Sequence, residues 1–60
     1  MSRAEPIRAV IVDDEPAARD VVVTLLAEHP QIEVVGQAGN GRSAIEVVRR
    51  TRPDLLFLDI

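Results

Sequence analysis

Two short apolar runs that each end in an acidic residue constrain the fold of this chain more than any other feature. The first run, Ala9–Val12, contains three β-branched residues, and the second is Leu55–Leu58. Acidic residues follow the two runs directly, namely Asp13, Asp14 and Glu15 after the first and Asp59 after the second. Apolar runs without polar alternation are typical of strands buried on both faces, as in a parallel sheet. We therefore predict two parallel strands whose carboxyl ends carry acidic side chains.

The segments between the two runs have the periodicity of helices. Pro16 suits the first turn of a helix, and the pattern predicts a first helix over Pro16–Glu28. The stripe predicted to face the core is Ala18, Val21, Val22, Leu25 and Leu26, with Arg19 and Val23 outside it. A second helix is predicted over Gly41–Thr51, with Asn40 as its N-cap. Its predicted inner stripe is Ala44, Val47, Val48 and Thr51.

The complete order of elements is predicted to be β-α-β-α-β. The predicted strands are Ile7–Val12, Ile32–Gln37 and Asp54–Ile60, and residues 1–6 are predicted to form a disordered tail. Gly36, inside the second strand, is interpreted as an accommodation of close packing. Right-handed crossovers place the two helices on opposite faces of the sheet and the first strand in its centre, so the predicted strand order is 2-1-3.

Composition limits the functions open to a chain of 60 residues. Such a chain forms one domain at most, and the absence of Cys excludes disulfides and thiolate metal sites. A net charge of −3 argues against a nucleic-acid-binding surface on this segment. Neither a membrane span nor the apolar region of a signal peptide is visible, so we expect a cytoplasmic protein that does not contact a membrane.

The acidic residues predicted at the carboxyl edge of the sheet suit a divalent cation and phosphoryl chemistry. With strand order 2-1-3, Asp13 and Asp14 become neighbours of Asp59. Clustered carboxylates repel one another unless a cation or water compensates, and Mg²⁺ prefers oxygen ligands. A carboxylate can also act as a nucleophile, so the cluster fits phosphoryl transfer to an Asp. The residues alone leave open which Asp is the acceptor, and also whether the acids only suit a helix N-terminus and a strand end.

Four short motifs, in this order, resemble the first half of a response-regulator receiver domain. They are Val-Asp-Asp-Glu-Pro at 12–16, Ile-Glu-Val-Val-Gly at 32–36, Ala-Gly-Asn-Gly at 38–41 and Arg-Pro-Asp-Leu-Leu-Phe-Leu-Asp-Ile at 52–60. The resemblance covers Ile7 to Ile60. It implies a truncated flavodoxin-like α/β fold in which residues 7–60 form an incomplete receiver domain.

The resemblance also implies roles for individual acids. Asp59 matches the phosphoacceptor that takes a phosphoryl group from a sensor histidine kinase, which makes the chain a signalling phosphoacceptor and not an enzyme. Asp14 matches the acid that binds Mg²⁺ directly, and Asp13 matches its neighbour, which often acts through water. The predicted metal ligands are therefore Asp13, Asp14 and Asp59, while Glu15 contributes at most a supporting charge.

The motifs are similar to those of receivers joined to LytTR-type DNA-binding domains, through Asp-Asp-Glu-Pro and Phe-Leu-Asp-Ile. Receivers of the NarL type share the Val-Val-Gly and Asn-Gly features. This similarity implies a longer regulator of transcription that binds DNA through another domain and can form a homodimer on phosphorylation. The family's switch Ser or Thr and its Lys after the last strand have no counterpart here, so we expect the sequence to be a fragment.

Two other interpretations stay open on the residues. A phosphohydrolase of the haloacid-dehalogenase type would also use Mg²⁺ and an Asp nucleophile, but in an Asp-x-Asp pattern after the first strand. The adjacent acids Asp13 and Asp14 favour the receiver. An inert fragment that docks a kinase through its first helix would have no phosphoryl chemistry. The coding sequence after Ile60 would distinguish the parent families.

Overall fold

A computed structural model describes residues 5–59. Along the chain lie β1 (Ile7–Asp13), α1 (Pro16–Leu26), β2 (Ile32–Ala38), α2 (Gly41–Thr51) and β3 (Leu55–Asp59). The strands form one parallel sheet in the order β2-β1-β3. The predicted truncated flavodoxin-like topology and its 2-1-3 strand order are thereby confirmed. Most of the predicted tail, residues 1–4, lies outside the described part of the chain, as does Ile60.

The observed elements differ from the predicted ones only at their ends. α1 ends at Leu26 and not at Glu28, because the chain tightens there: the N–H of His29 donates to the carbonyl of Leu26 at 2.9 Å. The first two strands each run one residue further than predicted, to Asp13 and Ala38. Within residues 5–59, neither helix has the length and apolar character needed to cross a membrane.

The central strand β1 contributes the most deeply buried residues of the core. Its four apolar residues, Ala9 to Val12, are each no more than 1% exposed. Val10 and Val12 pack with Ala38 and Val47 on the α2 side of the sheet, while α1 contacts β1 and β2. The run predicted to be buried on both faces is therefore buried on both faces, as expected for a parallel strand between two neighbours.

The second helix follows the sequence prediction closely. Asn40 is its N-cap, and the side-chain Oδ1 accepts a hydrogen bond from the N–H of Ser43 at 2.8 Å. All four residues of the predicted inner stripe are buried or half-buried. The helix ends at Thr51, and its C-cap Arg52 has a left-handed φ of 48° and an N–H that donates to the carbonyl of Val48.

The inner face of α1 is rotated from the predicted one. Val21 is 58% exposed and Leu25 is 55% exposed, so the prediction was wrong for both. The predicted residues Ala18, Val22 and Leu26 are half-buried or buried, and they are joined on the inner face by Arg19 and Val23. The physical reason is that α1 lies over β1 and β2. Among the described residues, no further element covers the side of the helix that carries Val21 and Leu25.

Gly36 lies where the second helix approaches the sheet most closely. A Cβ at this position would lie 2.5 Å from Cγ1 of Val47. The β1–β2 register also shifts here, because Ala9 pairs with Val34 whereas Val10 pairs with Gly36. The interpretation of Gly36 as an accommodation of close packing is therefore confirmed.

Replacing this glycine should destabilise the fold. We expect Gly36→Ala to lower the free energy of unfolding by about 1–3 kcal/mol, because the added methyl overpacks the core. Gly41→Ala is the matched control, since a Cβ there meets nothing within 4 Å. Urea unfolding of the natural full-length protein that carries this sequence measures both. The double variant Gly36→Ala with Val47→Ala should lose less stability than the sum of the two single variants, because removal of the Val47 side chain relieves the clash. A loss equal to that sum would contradict the proposed clash.

Candidate functional site

The last residues of two neighbouring strands are both acidic. β1 and β3 are parallel partners, and Asp13 pairs with Asp59 in their register. Ladder partners on adjacent strands lie about 5 Å apart, so the two carboxylates leave the sheet at the same edge. Ligand sites of open parallel sheets form outside the carboxyl ends of the strands. The structure therefore brings Asp13 and Asp59 to the edge where a site is expected.

The acids at this edge differ in their access to solvent. Asp13 is only 8% exposed, because it ends the central strand and has a neighbouring strand on either side. Asp14 and Asp59 are both exposed, the first because it lies in the turn after β1 and the second because β3 is an outer strand. An exposed carboxylate can meet an incoming group, while a buried one has a fixed position. The arrangement therefore combines one anchored acid with two accessible ones.

A local hydrogen bond fixes the turn that carries the acids. One carboxylate oxygen of Asp13, Oδ1, accepts from the N–H of Glu15 at 2.9 Å, which closes an Asx turn. Glu15 is the N-cap of α1 but makes no side-chain capping hydrogen bond, and Pro16 begins the helix. The side chain of Asp13 therefore holds the turn with one oxygen, so its carboxylate has a defined orientation.

Arg19 reaches the same turn from the helix. Its Nη1 donates to the main-chain carbonyl of Asp13 at 2.7 Å. Its own N–H donates to the carbonyl of Glu15 at 3.1 Å as the first helical bond of α1, so the bond to Asp13 is the contact specific to the Arg19 side chain. Sequence reasoning missed Arg19 because it assigned the residue to the outer face. The spacing of Arg19 with Val22, Val23 and Leu26 is the signal that could have found it.

A small open cavity lies beside the paired acids. Its volume is about 180 Å³, and Asp13 and Asp59 lie in its wall. The remaining lining residues are apolar and come from β1, α1 and β3, namely Ile11, Val12, Val22, Phe57 and Leu58. The cavity is thus a mainly apolar recess with two carboxylates at one side, which can admit a small ion or a few water molecules.

The donor atoms at this edge suit Mg²⁺ better than a transition metal. They are all carboxylate oxygens, and Mg²⁺ commonly uses one or two carboxylates together with water. Within residues 5–59, however, the structure contains no group of three or more His, Cys, Asp or Glu side chains close enough to hold a metal. Asp13 and Asp59 are register partners, whereas Asp14 is not gathered with them into such a group. The assignment of Asp13, Asp14 and Asp59 as Mg²⁺ ligands therefore stays a prediction.

Comparison with known proteins identifies the family. The pattern of the "Response regulator receiver domain" family matches residues 9–60. A protein-glutamate methylesterase/protein-glutamine glutaminase 3 of Myxococcus xanthus is 45% identical over 60 residues, which cover 100% of this chain and 17% of that protein. The transcriptional regulatory protein BtsR of Escherichia coli K12 is 48% identical over 54 residues, which cover 90% of this chain and 23% of that protein.

The relatives are much longer than this chain. A methylesterase/glutaminase of Alkalilimnicola ehrlichii is 48% identical over 54 residues, and the match again covers 90% of this chain but only 14% of that protein. The chain thus spans less than a quarter of each of these three relatives. With the family pattern covering nearly all of its residues, this chain belongs to the response regulator receiver domain family.

Proposed function

We propose that this chain is the phosphoacceptor module of a two-component response regulator. In this proposal Asp59 takes a phosphoryl group from a sensor histidine kinase with the help of Mg²⁺. The observation that carries the proposal is the register pairing of Asp59 with Asp13 at the carboxyl edge of the sheet, in a chain of the receiver family. Asp59 is also exposed, as an acceptor that meets another protein must be.

The transfer requires few groups from this chain. A carboxylate oxygen of Asp59 attacks the phosphorus, a P–O bond forms, the P–N bond to the histidine of the kinase breaks, and the histidine nitrogen leaves. When bound, Mg²⁺ supplies charge neutralisation for the phosphoryl oxygens. Asp13 and Asp14 are the residues that would hold the ion together with Asp59. Asp13 is suited to this because its turn is fixed by the bond to Glu15.

Membership of the receiver family supports this proposal over the phosphohydrolase interpretation. The inert-fragment interpretation makes a different prediction, namely that Asp59 of the fragment does not accept a phosphoryl group. Labelling of the full-length protein at Asp59 tests the acceptor role of this residue, and labelling of the isolated chain shows whether the fragment alone is inert.

The proposed metal site predicts a ranking among neighbouring acids. Asp14→Ala should weaken Mg²⁺ binding at least about tenfold, because the loss of an outer-shell partner alone costs about 10- to 100-fold. Glu15→Ala is the matched control: it removes one exposed negative charge from the same turn, and the Glu15 side chain makes no capping bond. We expect its affinity to stay within about twofold of wild type, since an exposed charge is largely screened. Calorimetric titration of the full-length protein measures both. Equal affinities of wild type and Asp14→Ala would contradict the site.

For the whole protein we propose a transcriptional output of the LytTR type. Its support is the similarity of the Asp-Asp-Glu-Pro and Phe-Leu-Asp-Ile motifs, together with a transcriptional regulatory protein among the relatives. The second candidate is a methylesterase/glutaminase output, which is favoured by the names of other relatives. Purified full-length protein distinguishes them. Phosphorylation-dependent DNA binding with a rise in dimer content is expected, and release of methanol from a glutamyl methyl ester would support the second candidate instead.

A further inference from the structure

We propose that Arg19 is a positioning residue for phosphoryl transfer, because it fixes the turn from which the acids leave the sheet. This inference rests on the proposed function of Asp59 and deepens it. The Nη1 of Arg19 donates to the carbonyl of Asp13, in addition to the ordinary helical bond from its main-chain N–H to the carbonyl of Glu15. A guanidinium is always charged and has a planar set of donors, so a well-packed one holds its acceptor rigidly.

The side chain of Arg19 fills a slot between two strand ends. On one side it binds the carbonyl of Asp13 at the end of β1. On the other side lies Gly39, which follows β2 and whose Cβ, if present, would be 3.2 Å from Nη1. Any side chain at position 39 would therefore press on the guanidinium. The slot explains how α1 can place a charged group on its inner face.

Arg19 is held there at a cost. Its Nε is buried, and among residues 5–59 it has no hydrogen-bond acceptor. A buried donor without a partner lowers stability, so such a group calls for an explanation. Its Nη1, by contrast, has a partner in the main-chain carbonyl of Asp13, at the start of the acidic turn. Both observations agree with a residue that fixes the geometry of the acidic edge.

In this proposal Arg19 affects phosphoryl transfer by fixing the position of Asp13. The carbonyl that Arg19 binds belongs to the residue whose Oδ1 closes the turn and which pairs with Asp59. Loss of the Arg19 bond would free this carbonyl and let the turn move relative to Asp59. Phosphoryl transfer is sensitive to such displacements, since much of its acceleration comes from positioning. Arg19 therefore acts on the reaction without touching the phosphoryl group.

The test uses the full-length protein and measures the rate of phosphorylation of Asp59 at saturating Mg²⁺ and small phosphodonor. Arg19→Met keeps the packing of the stem but removes charge and donors, and should lower the rate about tenfold. Arg19→Lys keeps the charge and a donor, and should recover a rate above that of Arg19→Met. Arg42→Met, on the exposed surface of α2, is the matched control and should keep the wild-type rate.

A pair of glycine substitutions separates positioning from a general loss of stability. Gly39→Ala places a Cβ 3.2 Å from Nη1 of Arg19, which must then shift by a few tenths of an ångström, so labelling should slow; Gly41→Ala should have no effect because its Cβ meets nothing within 4 Å. In the Arg19→Met background, Gly39→Ala should add nothing, because the atom that it displaces is gone. A merely structural glycine would slow labelling equally in both backgrounds.

The outcomes distinguish this inference from the function on which it rests. If the wild-type protein is not labelled at Asp59, the proposed function fails. If wild type is labelled and Arg19→Met is labelled at the same rate, only the role of Arg19 is overturned. Should Arg19→Met not fold, the glycine pair decides: equal rates for Gly39→Ala and Gly41→Ala would overturn the positioning role, and a slower Gly39→Ala would support it.

Discussion

The isolated 60-residue chain is expected to self-associate or to be partly unfolded in solution. Among residues 5–59, six large apolar residues are more than a third exposed, namely Val21, Leu25, Ile45, Leu55, Leu56 and Leu58. A chain of this size buries only about 60% of the surface that its unfolded form exposes, which leaves little free energy to offset the entropy of ordering. Water-exposed apolar side chains in this proportion favour contacts between molecules.

Three of these side chains, Ile45, Leu56 and Leu58, line one surface. An open groove of about 450 Å³ runs between α2 and β3, and its lining is almost entirely apolar, including Ile45, Val48, Leu56 and Leu58. β3 is also an outer strand of the described sheet, with β1 as its neighbour on one side. An apolar edge strand is a template for pairing with a second chain. The groove and the edge together predict association through β3.

Sedimentation and thermal unfolding at several concentrations measure this behaviour. We expect a mass above that of the monomer, or a broad transition that depends on concentration. Leu56→Lys should shift the chain toward monomer, because a charged side chain in the groove and on the edge strand opposes pairing. Ala17→Lys adds the same charge at an exposed site on α1 and should leave association unchanged. A monomeric mass with a sharp, reversible, concentration-independent transition would contradict the expectation.

The topology could be predicted from the sequence because its signals are local and strong. The two unbroken apolar runs mark β1 and β3. The starts of the two helices are marked by Pro16 and by the Asn40 cap, and the end of α2 is marked by Pro53. The right-handed crossover rule allows the order 2-1-3 as well as 3-2-1, and the resemblance to receivers favours a central first strand. The central position of β1, and with it the pairing of Asp13 with Asp59, follows from these few signals.

The parts that sequence reasoning missed depend on packing between elements. On α1, Ala18, Val21, Val22, Leu25 and Leu26 form a regular apolar stripe, yet only part of it meets the sheet. Periodicity gives the width of an apolar face but not the element that covers it. Arg19 was placed outside for the same reason, since its bond to the carbonyl of Asp13 exists only once helix and strand have been packed together.

Loss of phosphoryl acceptance at Asp59 is the largest effect that we predict. Asp59→Asn removes the anionic nucleophile but keeps the shape of the side chain, so labelling of the full-length protein should fall to background. The isolated 60-residue chain should also show little or no stable label, because positioning and charge neutralisation around the phosphoryl oxygens need more groups than its acids provide. Asp20→Asn, an exposed acid on α1, is the matched control and should be labelled like wild type.

The most direct measurement is an assay for acid-stable, base-labile phosphate on the full-length protein, its Asp59→Asn variant and the 60-residue chain, each incubated with kinase or a small phosphodonor. We predict a label on the full-length protein alone, located at Asp59. A label that persists after Asp59→Asn would contradict the acceptor assignment. A 60-residue chain labelled as well as the full-length protein would show that residues 1–60 suffice for the chemistry, against this account.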